Sequence, residues 1–221
     1  MAAITTTGGS IIGVAAADVV ELEFGNNATM KHVTVEELLR GTGIAACVPV
    51  WDDLRFPAQS INPPGTLDGP TVDATETGFP GTLVFVGNAD RILCGVAQMP
   101  HAWEKGTAIR PHIHWSKLTG SADAVTWELF IRILGFAGDA PGAWSSALPV
   151  TYTEGSPLVT DKMLISGFGD VDMTGQRESA MFAWRLYRRG STDADAASVR
   201  LFEFDIHYQI DKLGTIPEIP S

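Results

Sequence analysis

The sequence predicts an all-β fold, a jelly-roll-like β-sandwich preceded by a small N-terminal segment made of a hairpin and a short helix. Three observations support this fold class. Many short apolar segments alternate with polar residues, 23 glycines and 13 prolines supply turns between them, and almost no segment has the helical period. Short strands punctuated by turns are typical of sandwiches and jelly rolls.

Residues 1–50 are predicted to be an N-terminal arm and attachment segment. Met1–Ala17 has little to bury, and we expect an extended arm or a tail. Val19–Phe24 and Met30–Val33 flank a Gly-Asn-Asn turn, which predicts a hairpin. Thr34 and Glu37 fit a capping box that would open a brief helix. Such a small unit is expected to dock on a neighbour.

Residues 51–221 are predicted to form the β-sandwich body. Its first part, Trp51–Pro80, is rich in Pro, Gly, Asp and Thr, and we expect a long ordered loop. Alternation then predicts eight strands: Thr82–Val86, Ile92–Gln98, Arg110–Lys117, Thr126–Leu134, Val150–Tyr152, Met163–Ser166, Ala180–Arg189 and Val199–Ile210. On the last strand one face is predicted to hold Phe202, Phe204, Ile206, Tyr208 and Ile210. Leu213–Ser221 is expected to be a tail.

The segment Gln98–Lys117 is the densest mixture of aromatic, histidine and proline residues in the chain. On a strand, His112 and His114 share one face, and Ile113 and Trp115 share the other. The apolar face suits a core. The two imidazoles could meet solvent, a partner subunit or a metal, and we expect them to hydrogen-bond within the sheet or an interface.

Metal binding is the alternative for these histidines. Gly106 followed by His112 and His114 matches the opening of the cupin metal motif, because two histidines at i and i+2 on a strand can reach one ion. The glutamate expected three or four residues later is missing. His207, with Asp205, could add ligands if its strand lies alongside. We predict no metal and no cofactor, and the candidates for ligands are His112, His114 and His207.

Other function classes leave little trace in the sequence. A nucleophile elbow, a Cys near a His and a Gly-rich phosphate loop are all missing, so no catalytic residues and no enzyme are predicted. The net charge of −11 counts against nucleic-acid binding, and no apolar run reaches the roughly 20 residues that span a membrane. Cys47 and Cys94 are expected to be reduced and buried. The interface candidates are Trp103, Trp144, His112, His114 and His207.

Five motifs together resemble a known family. They are Trp51–Ala58 (WDDLRFPA), Ile61–Gly65 (INPPG), Gln98–Trp103 (QMPHAW), Pro111–Trp115 (PHIHW) and Asp205–Tyr208 (DIHY). As a set they are similar to jelly-roll virion proteins of tailed bacteriophages and prophages, which decorate the capsid or associate with the tail. The resemblance implies a non-enzymatic structural protein, made in the bacterial host cytoplasm and located in the virion.

The resemblance also implies partners. We expect a capsid decoration protein that binds the major capsid protein and, by analogy with other jelly-roll particle proteins, a homotrimer. Two alternatives stay open: a tail, neck or head-fibre protein that attaches to the host, and a cupin-like metal-binding enzyme.

Overall fold

The computed structural model describes residues 4–5, 19–22, 31–34, 50–61, 63, 68–73, 79, 81–136, 138–153 and 159–210. The chain divides into two compact units, Met1–Val50 and Trp51–Ser221. No helix in the described ranges is long and apolar enough to cross a membrane.

The first unit contains an antiparallel sheet of β1 (Ile4–Thr5), β2 (Val19–Leu22) and β3 (Lys31–Thr34) in that order. The pairing of β2 with β3 confirms the two strands of the predicted hairpin. β1 pairs with β2, so Ile4–Thr5 belongs to a sheet and is not a free arm. The helix expected after Thr34 lies outside the described residues, as does the expected C-terminal tail.

The second unit is an antiparallel sandwich of two sheets, which confirms the predicted fold class. Its strands are β4 (Trp51–Pro57), β5 (Thr71–Val72), β6 (Leu83–Phe85), β7 (Asp90–Gln98), β8 (Arg110–Lys117), β9 (Val125–Gly135), β10 (Leu148–Tyr152), β11 (Leu164–Gly167), β12 (Met181–Arg189) and β13 (Val199–Gln209). One sheet has the order β10-β9-β12-β7. The other has the order β11-β8-β13-β6-β5, with β4 also paired to β13.

The eight strands predicted for the body all occur, with ends within two residues of the predicted ones. The loop prediction for Trp51–Pro80 was wrong at Trp51–Pro57, which forms β4, and at Thr71–Val72, which forms β5. Ala58–Ser60 adds a short 3-10 turn. Leu54 and Phe56 alternate there and pack on the core. The strand ends at a proline and pairs with β13 alone among the described strands, as suits a proline at a sheet edge.

The core lies between the two sheets and is built around tryptophans. Trp127 contacts both Phe85 and Trp115, with ring centroids 5.1 and 5.7 Å apart. Trp184 contacts Phe204 with ring centroids at 4.6 Å. These edge-to-face and tilted arrangements are favourable for aromatic pairs, and each ring buries a large apolar area. The tryptophans therefore hold the two sheets together.

A β-bulge in β13 changes which side chains reach this core. The register against β8 shifts between Leu201 and Glu203, so one extra residue reverses the alternation. Leu201 and Phe204 are buried, whereas Phe202 turns to the other side and packs against Phe79 at 5.2 Å. The prediction that Phe202 shares the face of Phe204 was therefore wrong. The residues after the bulge keep the predicted alternation.

Candidate functional site

The outer face of the six-stranded sheet carries charged side chains from three adjoining strands. β13 runs between β8 and β4, which places Asp205 opposite His112 on one side and opposite Arg55 on the other. The next outward position on β13 is His207, which stands opposite Asp53. Because side chains alternate along a strand, all these groups lie on one face of the sheet.

The two faces of β8 differ as the sequence predicts. Ile113 and Trp115 are fully buried in the core, and Trp115 donates its indole N–H to Ser166 Oγ at 3.0 Å. His112 and His114 point to the opposite face, where they meet protein side chains. This confirms the predicted alternation and brings both imidazoles to Asp205.

His112, His114 and Asp205 form what we term the histidine–carboxylate cluster. His112 Nε2 lies 2.6 Å from Asp205 Oδ1, and His114 Nε2 lies 3.3 Å from Asp205 Oδ2. The two Nε2 atoms are 3.2 Å apart. Three potential ligand atoms, all within 4.8 Å of one another, therefore converge from two neighbouring strands.

The carboxylate of this cluster is buried. Asp205 is 4% exposed, and each of its carboxylate oxygens faces one imidazole nitrogen of the cluster. Burial lowers the pKa of His112, but the hydrogen bond and charge of Asp205, a hydrogen bond to the Arg110 backbone and the charge of Asp53 together raise it above its ordinary value. These surroundings thus favour the positively charged form of His112.

A flanking pair lies beside the cluster. His207 Nε2 is 2.9 Å from Asp53 Oδ1. The His207 and His112 rings are in edge-to-face contact, with their centroids 4.2 Å apart. The neighbouring Tyr208 donates its hydroxyl to Asp52 at 2.9 Å, and burial together with that bond raises the pKa of Tyr208 to about 12. His207 is therefore near the cluster, but its Nε2 faces Asp53.

The sequence predicted that Asp205 and His207 could add ligands if their strand lay beside the two histidines. Of these two residues, only Asp205 joins the cluster. β13 lies alongside β8, and Asp205 brings carboxylate oxygens to both histidines, whereas His207 contacts the His112 ring but its Nε2 faces Asp53. Glu128, the first glutamate after the histidines in sequence, lies on β9 in the other sheet and accepts a hydrogen bond from Arg189 at 2.6 Å. The carboxylate of the cluster therefore comes from a distant strand.

The two tryptophan interface candidates lie in different environments. Trp103 is 1% exposed, donates its indole N–H to Thr107 Oγ1 at 3.0 Å and forms a β-bridge with Ile210. The structure therefore corrects the expectation for Trp103, because its loop folds back on β13 and buries the ring. Trp144 is half-buried, with the Arg185 guanidinium 4.0 Å from its ring centroid. An interface role for Trp144 stays a prediction.

The cysteines also differ in what can be said of them. Cys94 is a free, half-buried thiol, and burial raises its pKa despite the nearby Arg185. A thiol with a raised pKa is a weak nucleophile at neutral pH. Cys47 lies outside the described residues.

Four of the motifs that carry the family resemblance meet at this end of the sheet. Those containing Trp51, His112 and Asp205 lie on the adjoining strands β4, β8 and β13. The Arg110 guanidinium lies 4.5 Å from the Trp51 ring centroid. The motif ending at Trp103 joins them through its bridge to Ile210. The fifth motif, at 61–65, lies mostly outside the described residues.

Comparisons with known proteins gave the following results. No family model matches the chain, and no curated protein matches it. Among solved structures, a family 35 carbohydrate binding module from an environmental isolate matches with 8% identity and a TM-score of 0.40, covering 76% of this chain and 99% of that one. The CBM22-2 xylan-binding domain of Paenibacillus barcinonensis Xyn10C matches with 8% identity and a TM-score of 0.40, covering 70% and 98%.

A viral protein is also among the similar structures. The enzymatically active domain of bacteriophage CBA120 tailspike protein 4 matches with 10% identity and a TM-score of 0.38, covering 72% of this chain and 19% of that chain. All these likenesses concern β-sandwich architecture alone.

Proposed function

We propose that this chain is a non-enzymatic structural component of a tailed-bacteriophage virion, a capsid decoration protein that binds the major capsid protein. The observation that carries the proposal is the meeting of four resemblance motifs on one face and edge of the sandwich. Motifs as far apart as Trp51 and Tyr208 adjoin through the pairing of β4 with β13. The resemblance thus involves a continuous folded region and not isolated stretches of sequence.

Particle assembly also requires contacts between copies, and the sandwich offers an edge for them. β11 is the last strand in the order of its sheet and pairs only with β8 among the described strands. Met163 and Ile165, beside and on this strand, are 51% and 61% exposed. An unpaired edge with exposed apolar side chains favours association with another chain. A homotrimer assembled through this edge would fit the proposed role.

The virion assignment can be tested by locating the chain on particles. Antibodies raised against the purified protein would label phage particles released from a bacterial host that carries the gene. Label spread over the head is the expected result. Label confined to the neck or tail would support the host-attachment alternative. Particles that carry no label, from cells that express the chain, would contradict both.

Self-association can be tested separately by light scattering at micromolar concentration. We expect a mass three times that of the 23.6 kDa chain. Ile165→Lys should shift the protein toward monomer, because a charge on the apolar edge opposes pairing. Val96→Lys is the matched control, since Val96 is equally exposed at 59% but lies on β7, at the edge of the other sheet. A wild-type protein that is only monomeric would contradict the trimer.

A further inference from the structure

The geometry of the histidine–carboxylate cluster matches one face of a metal coordination sphere. Zinc binds imidazole nitrogen and carboxylate oxygen at 2.0–2.2 Å, so neighbouring ligands of a tetrahedral ion lie about 3.3 Å apart. The cluster has separations of 3.2 Å between the two Nε2 atoms and 3.3 Å between His114 Nε2 and Asp205 Oδ2. The third separation, 2.6 Å from His112 Nε2 to Asp205 Oδ1, is shorter than this and is that of an ion pair.

The same three side chains can be held together by protons or by a metal ion. His112 Nε2 carries at most one hydrogen, and both His114 Nε2 and Asp205 Oδ1 lie within bonding distance of it. Asp205 is 4% exposed, and a buried carboxylate needs a cation beside it. An imidazolium can supply that charge, and so can a divalent ion that takes the lone pairs of both Nε2 atoms.

We propose that His112, His114 and Asp205 bind a divalent transition-metal ion of the zinc class. Two imidazoles and one carboxylate form a donor set that suits Zn²⁺, Co²⁺, Ni²⁺ or Fe²⁺, whereas Ca²⁺ and Mg²⁺ require shells of oxygen ligands. Strand pairing holds the three side chains in place, because Asp205 and His112 are direct partners across β13 and β8. This inference replaces the expectation of no metal and goes beyond the proposed virion role.

Three protein ligands leave at least one coordination position for an outside donor. The His114 side chain is 27% exposed, so that position opens toward solvent on this side of the cluster. The flanking His207 does not fill it, because its Nε2 is paired with Asp53 at 2.9 Å. The site therefore binds water or one donor atom of an approaching molecule as its fourth ligand.

Titration of the tag-free full-length chain with Zn²⁺ and with Co²⁺ tests the site. We expect one ion per chain by calorimetry, a visible absorption band of bound Co²⁺, and a melting temperature that rises with added Zn²⁺. His114→Gln should weaken Zn²⁺ binding by at least about tenfold, since loss of a direct ligand exceeds the loss caused by outer-shell changes. Asp205→Asn should do the same, and Ca²⁺ should not compete with either ion.

Two control variants separate this site from other zinc ligands in the chain. His207→Gln removes the neighbouring imidazole, and Cys94→Ser removes the described thiol; both should retain the wild-type affinity. His114 is partly exposed, so its variant tests the site even if Asp205→Asn fails to fold. Wild-type protein that binds neither Zn²⁺ nor Co²⁺ at micromolar concentration would overturn the proposal. So would binding that survives His114→Gln, because the ion would then lie elsewhere.

The test also separates the site from the proposed virion role. Particles labelled by antibody, together with a chain that binds no metal, would leave the structural role intact and end the metal proposal. Metal binding by a chain that is not part of any particle would do the reverse.

Discussion

β8 carries a group of charged side chains on each of its faces, and the two groups are completed in different ways. On the inner face, Lys117 is 1% exposed and its ammonium lies 2.9 Å from Asp195 Oδ2. It also donates to the carbonyls of Ser121 and Asp123. On the outer face, His112 and His114 meet Asp205. The inner group holds a fixed cation, whereas the charge of the outer group depends on what its two imidazoles bind.

The inner group extends to the opposite sheet through Arg188. Its guanidinium donates to the carbonyl of Phe85 at 3.0 Å and to that of Asp195 at 2.7 Å, and lies 3.2 Å from Asp193 Oδ2. Burial raises the pKa of Asp193 in spite of that cation. Lysine and arginine can only donate, so the protein must surround them with acceptors, and it does. This group stabilises one end of the sandwich without any added ion.

The outer group has no such fixed partner. An imidazole nitrogen either donates or offers a lone pair, so the same three side chains can share a proton or surround a metal ion. Burial of charge alone therefore does not mark a ligand site. The distinguishing feature is a buried carboxylate that faces lone-pair donors instead of permanent cations.

The largest expected effect concerns the inner group. Lys117→Met should reduce the free energy of unfolding by about 3–5 kcal/mol, because it leaves the buried Asp195 without its cation. Chemical denaturation would measure the loss. The double variant Lys117→Met with Asp195→Asn should recover part of it, since the carboxylate charge is then absent as well. If the free energy of unfolding of Lys117→Met were within about 1 kcal/mol of wild type, the inner group would not depend on Lys117 as its cation.

A smaller effect tests packing around the two regions. Gly95 lies beneath Trp184, and a Cβ there would sit 2.3 Å from the indole Cζ2. Gly95→Ala should therefore cost about 1–3 kcal/mol of unfolding free energy. Gly167, opposite His112 on β11, has open space around the same position, so Gly167→Ala should stay within about 0.5 kcal/mol. Equal losses in thermal denaturation would show that the core is not packed as described.

Arg189 forms ion pairs with Asp90 and Glu128 on the four-stranded sheet. These charges are more exposed than the inner group, so their effect on stability should be smaller. Burial raises the pKa of Asp90, but hydrogen bonds from the hydroxyl and N–H of Ser191 and from Arg189 outweigh it and leave the pKa below its ordinary value. Its contribution is therefore present above the pKa of the unfolded chain and is lost as the pH falls through the folded-state pKa.

Asp90→Asn should accordingly destabilise the protein by about 0.2–1 kcal/mol at neutral pH. The difference from wild type should shrink as the pH is lowered below about 3.9, the ordinary pKa of an aspartate. Denaturant titrations at several pH values would measure it. A difference that grows toward acid would reverse the assigned sign.

The smallest effect belongs to the flanking pair. The side chains of His207 and Asp53 are 42% and 41% exposed, and pairs this accessible to water contribute little. His207→Gln should change the free energy of unfolding by less than about 0.5 kcal/mol. If urea denaturation showed a loss comparable to that of Lys117→Met, the flanking pair would have to be regarded as part of the buried group.

Much of the body could be predicted because strand alternation is a local signal. Val125–Gly135 and Met181–Arg189 read correctly from their apolar residues alone. β4 was missed because Trp51–Pro57 is rich in polar residues and ends in proline, so its pairing with β13 leaves no local trace. The bulge that moves Phe202 could not be predicted either, since it depends on the register with β8.

The candidate site divides in the same way. The spacing of His112 and His114 places both imidazoles on one face of a strand. The spacing of Asp205 and His207 likewise places their two side chains on one face of another strand. Nothing in those spacings says that the two strands adjoin or that Asp205 and not His207 faces the pair. For Trp103 the loop sequence was misleading, because it predicted an interface residue and the fold buries the side chain.

The sequence by itself determined the strand content, the two-sided character of β8 and the position of the histidines, because side-chain alternation follows from backbone geometry within a single strand. Only the tertiary structure decided that β13 lies between β8 and β4, and hence that a carboxylate more than ninety residues away completes the cluster. Strand neighbours are chosen by the burial of a whole core, and no local pattern carries that information.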